Sequence, residues 1–210
     1  MENYNRKEHW QKIYSRDVAG KSGWYQETPD TSLEFIDLLD LPEDAKIIDV
    51  GGGESRLVDH LLDRGYRDIT VLDISEKAIE KVRQRLGERA ERVKWVVCDI
   101  VDFHPEENYD CWHDRAAFHF LLDEKDICAY LRIAGTSIRP GGFMVIGTFS
   151  EQGPEKCSGV DVRQYSEKKM TARLNGSFEK MKCIRLDHQT PSGNLQNYLF
   201  CGFRRKKSDV

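Results

Sequence analysis

The sequence predicts an α/β fold: a doubly wound, mostly parallel seven-stranded sheet with helices on both faces and an antiparallel C-terminal hairpin at one edge. Three observations carry that prediction. Short apolar runs alternate with segments of helical periodicity between Lys46 and Phe149, the pattern of strand–helix–strand units in a covered parallel sheet. A glycine run, Gly51-Gly52-Gly53, stands where the first strand gives way to a helix. Two late apolar runs have no helix between them, only Gly193-Asn194, which signals a hairpin.

Taken in order, the chain opens with a helix over Lys7 to Ser15, then a loop from Ala19 to Pro29 marked by Gly, Trp, Tyr and Pro. A second helix runs from Ser32 to Leu39 with Thr31 or Asp30 as its cap. Lys46 to Val50 is the first strand, and Leu57, Leu61 and Leu62 fall at helical spacing before Gly65 closes that helix. Asp68 to Leu72 is the second strand, followed by a helix from Glu76 to Leu86 capped by Ser75. Val93 to Cys98 is the third strand, and Tyr109 to His113 a shorter, more polar fourth. A helix from Glu124 to Ile138 meets Arg139-Pro140-Gly141-Gly142, a stop and turn signal, before the fifth strand at Phe143 to Phe149. A loop (Ser150 to Val162), a helix (Ser166 to Leu174) and two strands (Phe178 to Asp187, Leu195 to Arg204) complete the pattern.

With 210 residues, the chain is expected to form one domain over 1–210 with a sizeable core. Hydrophobic residues at 39% and charged residues at 32% suit an ordinary globular protein. A formal net charge of -4 gives no basic footprint, which weighs against a nucleic-acid partner. The longest apolar runs are strand-sized, so no membrane span is expected, and the polar start from Met1 to His9 has no apolar leader core. The expected compartment is the cytoplasm. Six cysteines, at 98, 111, 128, 157, 183 and 201, form no CxxC pair, and in a chain of this size they read as reduced thiols.

Chemistry concentrates at the ends of the first three strands. Ligands of doubly wound sheets bind outside the carboxyl ends of the strands, where the strand order switches. Glycines at 51, 52 and 53 let the backbone turn sharply and approach a ligand with no Cβ in the way. Asp73 ends the second strand, 20 residues after Gly53, where a carboxylate can accept both hydroxyls of a ribose. Asp99 ends the third, where it can accept from an adenine amino group. Each aspartate alone reads equally as a cap or a solvated loop residue; in register, the three strand ends read as an adenosine site. Arg56 occupies the position where a dinucleotide fingerprint starting at Gly51 needs its third glycine, which counts against a nicotinamide dehydrogenase.

The run Ile47-Ile48-Asp49-Val50-Gly51-Gly52-Gly53-Glu54-Ser55 resembles the first motif of class I, Rossmann-like S-adenosylmethionine-dependent methyltransferases. Val71-Leu72-Asp73-Ile74-Ser75, Cys98-Asp99-Ile100 and Arg139-Pro140-Gly141-Gly142 resemble that family's later motifs, in order. The resemblance covers roughly residues 45–150. It implies S-adenosylmethionine as cofactor, with Asp49 orienting the glycine loop or the methionine part, Gly51, Gly52 and Gly53 approaching it, Asp73 on the ribose with Ile74 beside it, and Asp99 with Ile100 framing the adenine. Gly52 departs from the cysteine or threonine of many members, to a smaller residue. His9-Trp10-Gln11-Lys12-Ile13-Tyr14 and Gly23-Trp24-Tyr25-Gln26 resemble the opening that closes over the cofactor in many small cytosolic members, making residues 1–44 a helical and aromatic cap. Tyr14, Trp24 and Tyr25 are its candidates for facing the sulfonium. Trp10, four residues before Tyr14, reads instead as a helix face packed on the core.

The methyl acceptor is expected at the end of the fourth strand. No Asn-Pro-Pro-Tyr-like run stands there, which argues against nucleobase amino groups. His113 is a candidate general base, or else a loop histidine capping the next helix. Arg115 is a candidate for holding a substrate carboxylate or phosphate, or else an ion-pair partner of Asp114 or Asp110; His119 is a further substrate candidate. Cys157, His188 and Cys201 can surround a soft acceptor, yet their spacing is no zinc pattern, and no resident metal is expected. The acceptor classes left open are a small molecule (thiol, amine or carboxylate), a protein lysine or N-terminal amine, and none at all if the chain is a non-catalytic binding module.

Overall fold

A computed structural model describes residues 5–16 and 22–207. Residues 1–4 of the polar start and 19–21 of the expected first loop lie outside them. In chain order the elements are α1 (Arg6–Tyr14), α2 (Asp30–Asp37), β1 (Lys46–Val50), α3 (Leu57–Asp63), β2 (Asp68–Asp73), α4 (Glu76–Leu86), β3 (Val93–Val97), β4 (Tyr109–Arg115), α5 (Glu124–Ser137), β5 (Ile138–Phe149), β6 (Lys156–Cys157), β7 (Val160–Asp161), α6 (Glu167–Leu174), β8 (Phe178–Gln189) and β9 (Leu195–Arg205).

Seven strands form one sheet in the order β3-β2-β1-β4-β5-β9-β8. β1 pairs in parallel with β2 on one side and β4 on the other. The chain therefore winds outward in both directions from β1, and the crevice between the carboxyl ends of β1 and β4 is the switch point. β9 enters antiparallel between β5 and β8, giving the edge hairpin that the sequence predicts. β6 and β7 pair as a separate small hairpin inside the expected 150–162 loop.

Alternation along the strands splits the core in two. Ile48, Trp112, Met144 and Ile146 face α5 and α6 with Tyr130 and Met170; Ile47, Cys111, Val145 and Phe149 face α2, α3 and α4 with Ile36, Leu61 and Ile79. β1, β2 and the second half of β5 are buried on both faces, which is why these runs are almost continuously apolar, whereas the edge strand β8 is mostly exposed and polar. Ser75 caps α4 as expected, its hydroxyl oxygen accepting from the Ala78 N–H at 3.3 Å. The structure corrects three local expectations. α2 starts at Asp30, with Pro29 in the cap position and no side-chain cap bond. β4 extends two residues past His113 to Arg115. Arg139-Pro140-Gly141-Gly142 does not separate α5 from β5 by a turn: β5 starts at Ile138, and the run is absorbed as an irregularity in its register with β4, with Gly141 at φ 82°.

Candidate active site

The floor of the switch-point crevice is the glycine turn. Gly51 and Gly52 both donate to the Leu72 carbonyl, at 2.7 and 3.1 Å, tying the turn to the end of β2. Gly51 and Gly53 have φ of 65° and 52°, which an L side chain adopts only under strain. A Cβ at Gly51 would lie 2.4 Å from the Ala117 Cβ, and one at Gly53 would lie 2.3 Å from the Tyr14 hydroxyl. Gly52 is bare for a different reason: its Cβ would meet Val71 Cγ1 at 2.7 Å.

Asp73 is buried at the end of β2, accepting from Gly53 N–H at 2.8 Å and Ser75 N–H at 2.7 Å. Burial pushes its pKa up to about 7, the two N–H donors pull against that, and the Asp49 charge adds to the rise. Each carboxylate oxygen keeps a lone pair for a further donor.

One cavity brings Gly51, Asp73, Ile74, Asp99, Ile100 and Tyr14 together, whereas Asp49, Gly52 and Gly53 are not among its lining residues. Its roof is α1, pinned at both ends. Arg6 reaches Asp99 at 3.1 Å and Asp126 at 2.9 Å. Gln11 Oε1 accepts from the Ser75 hydroxyl at 2.7 Å and the Lys77 N–H at 3.1 Å, so α1 sits on the N-terminus of α4. Asp99 also holds the turn after β3, accepting from Val101 N–H at 3.2 Å. Trp10, expected in the core, lines the cavity edge-on to Phe120, with ring centroids 4.8 Å apart. Trp24 stands edge-on to Tyr14 at 6.2 Å and to Trp10 at 6.1 Å. Arg6, Trp10, Ala116, Ala117, Phe120 and Leu121 are lining residues that the sequence reading missed. The docking of α1 brings in Arg6 and Trp10, and the turn after β4 brings in the rest.

Trp24 and Tyr25 line a second, smaller pocket beside this cavity, together with Arg115, Glu54 and Ser55. The Tyr25 hydroxyl turns to the Glu27 carboxylate. The Gly23–Trp24 backbone is held from below by two side chains. His188 Nε2 donates to the Gly23 carbonyl at 2.9 Å, and Arg115 donates to the Trp24 carbonyl at 2.5 Å.

His113 lines neither pocket, which corrects its expected position at an exposed strand end. The two further residues of β4 carry it into the core, where its Nδ1–H donates to Asp49 at 2.7 Å and its Nε2 lies 2.9 Å from the Ser32 hydroxyl. Asp49 only accepts, which puts a proton on Nδ1, and both ring nitrogens are occupied. Nor does Arg115 pair with Asp114 or Asp110. Asp110 takes Arg139 and the Lys46 N–H. Asp114 accepts from Ala117 N–H (3.0 Å), Phe118 N–H (3.2 Å) and the Tyr130 hydroxyl (2.8 Å). That network holds the 115–118 turn, in which Ala116 lines the cavity at φ 66°, a strained conformation for a non-glycine residue. His119 is fully buried, with Nδ1 accepting from Phe149 N–H at 3.1 Å.

The cysteine reading is also corrected. Cys183 and Cys201 face each other across β8 and β9 and form a disulfide, so Cys201 is no free thiol or ligand. Cys157 remains free. Among the described residues no group of His, Cys, Asp and Glu is arranged to hold a metal. No helix among them is long and apolar enough to cross a membrane.

A parallel sheet with its switch point under a glycine turn, and strand-end aspartates around an aromatic-roofed cavity, make a Rossmann-like fold of the kind found in methyltransferases. Residues 47–142 match the family model described as a methyltransferase domain. Over 102 residues the chain is 32% identical to the human N-terminal Xaa-Pro-Lys N-methyltransferase 1, covering 47% of this chain and 45% of that protein. Over 117 residues it is 26% identical to the malonyl-[acyl-carrier protein] O-methyltransferase 2 of Ilyobacter polytropus, covering 55% of this chain and 44% of that one. The chain thus spans less than half the length of these curated relatives. The solved 1,6-didemethyltoxoflavin-N1-methyltransferase of Burkholderia thailandensis superposes with a TM-score of 0.73 at 23% identity, over 99% of this chain and 93% of that one, and shares the fold.

Proposed function

We propose that this protein transfers a methyl group from S-adenosylmethionine to a small-molecule acceptor. The carrying observation is the pairing of two unlike pockets across the Trp24–Tyr14 contact: one with the groups an adenosine ligand needs, the other enclosed and lined by Arg115. In this reading Asp73 accepts the ribose hydroxyls, Ile74 and Ile100 flank the adenine, and Asp99 takes its amino group beside Arg6. Gly51, Gly52 and Gly53 admit the methionine part, and Asp49 holds that turn in place. When bound, the cofactor supplies a methyl activated by a sulfonium. Tyr14 and Trp24 turn aromatic rings toward that cation, with Tyr25 closing the acceptor side. The segment before β1 serves as the cap that excludes water, and alignment with desolvation does most of the catalytic work. His113 acts as a positioning residue for Asp49 rather than as a base.

The curated relatives supply a second reading, a protein lysine or N-terminal amine as acceptor. Enclosure of the acceptor pocket beneath the Gly23–Tyr25 segment favours the smaller substrate. Incubating the protein with methyl-labelled S-adenosylmethionine, separately with a metabolite extract and with desalted cell protein, tests this. Label in the low-mass fraction is expected; label confined to protein amines would establish the second reading instead.

A further inference from the structure

Resting on that methyltransferase reading, we propose that the acceptor carries a carboxylate, and that Arg115 anchors it with His119 as a positioning residue behind the anchor.

Arg115 ends β4 and begins the turn that lines the cofactor cavity, so a group held there lies next to the expected methyl. Its direct partners are uncharged: the Trp24 carbonyl accepts one N–H, and the guanidinium meets Tyr198, lying 5.8 Å from the centre of that ring, while Glu54, which shares the pocket, is paired with Lys81. Among the described residues no carboxylate forms an ion pair with it. Asp49, the acid whose charge it feels, is taken by His113. Desolvation works against this charge, yet a guanidinium does not give up its proton in a protein. A part-buried cation without a counter-ion is costly, and a fold retains it where an anionic ligand completes it.

His119 supplies the second observation. Its Nδ1 accepts a backbone N–H, so in the neutral ring the proton sits on Nε2. Burial, aided by the Arg115 charge, pulls its pKa down to about 3, so the ring is neutral at any ordinary pH. Nε2 is fully buried and has no partner. The ring packs on Phe149, Phe149 packs on Tyr198, and Tyr198 lies under the guanidinium, so the two groups belong to one contiguous patch. The guanidinium keeps N–H groups beyond those that meet the Trp24 carbonyl and Tyr198. A carboxylate answers that planar fork with two oxygens, while His119, fully buried and outside the lining of either pocket, acts through the Phe149–Tyr198 stack on which the guanidinium rests. An ammonium acceptor meets the like charge of Arg115 here.

Calorimetry on the full chain tests this, with acetate, malonate and succinate as probes and acetamide, malonamide and ethylammonium as controls. Each is titrated into protein saturated with S-adenosylhomocysteine and into ligand-free protein. Carboxylate binding is expected, with no heat from the controls. Arg115→Gln should weaken the carboxylate by about tenfold or more, Arg115→Lys should restore part of it, and His119→Phe should cost several-fold. Circular dichroism should show Arg115→Gln folded, and its S-adenosylhomocysteine affinity should fall by less than its carboxylate affinity, since only the bond to the Trp24 carbonyl is lost on the cofactor side. Amides binding as well as acids, no carboxylate binding, or a carboxylate indifferent to Arg115 would each overturn the proposal. So would an equal loss of S-adenosylhomocysteine affinity, which would assign Arg115 to the cofactor's own carboxylate. If S-adenosylhomocysteine fails to bind the parent protein, the methyltransferase reading fails, while the ligand-free titrations still decide on the anchor.

Discussion

Asp73→Ala should weaken S-adenosylhomocysteine binding by about 2–3 kcal/mol, roughly 30- to 150-fold, because a charged acceptor for two ribose hydroxyls is lost. Circular dichroism should show the sheet intact, since Asp73 closes β2 rather than packing within the core. The variant also leaves the Gly53 and Ser75 N–H groups unpaired, so Asp73→Asn, which keeps an acceptor oxygen, should bind better than alanine. pH gives a second measure of the same residue. Its pKa is raised to about 7 in the folded protein, against an ordinary carboxylate value when unfolded. The folded state therefore holds the proton more tightly. This group's contribution to stability is complete below the unfolded value and is lost as pH rises through about 7. Cofactor binding runs the other way, because the ribose hydroxyls donate to the ionised form. Affinity should fall by up to about tenfold per pH unit below 7, and Asp73→Asn should flatten that dependence. An alanine variant with parent affinity would reduce Asp73 to a clamp on the glycine turn.

The second large effect is on stability. His113→Ala should destabilise the fold by about 2–4 kcal/mol in urea unfolding, since it strands the buried Asp49 carboxylate and the Ser32 hydroxyl and opens a cavity. Ser32→Ala, which removes the weaker of the two bonds, should cost about 1 kcal/mol. A general base on the acceptor side would behave differently, with turnover lost and the unfolding midpoint unchanged. That outcome would return His113 to the chemistry.

The parts of the site legible in the sequence are those whose cause is local. Gly51 and Gly53 are required by the turn itself. Asp73 and Asp99 lie at strand ends because the apolar runs stop there, and Ser75 caps α4 because capping needs only its own turn. What stayed hidden depends on tertiary placement. The run from His9 to Tyr14 resembles a cap over the cofactor, but nothing in it shows that Arg6 reaches Asp99 or that Trp10 turns to the cavity rather than the core. Polar residues at 110, 113 and 114 mimic a strand end, whereas each is held by a partner elsewhere in the sequence: Asp110 by Lys46, and the buried His113 and Asp114 by Asp49 and Tyr130. The disulfide follows from the register of β8 on β9, which spacing alone does not disclose.

The central claim is that the switch-point cavity is a site for S-adenosylmethionine and not for a dinucleotide. Calorimetric titration of the parent protein with S-adenosylhomocysteine and, side by side, with NAD tests it most directly. Micromolar-order binding of S-adenosylhomocysteine with no response to NAD is the predicted result; tight NAD binding with no response to S-adenosylhomocysteine would contradict the account.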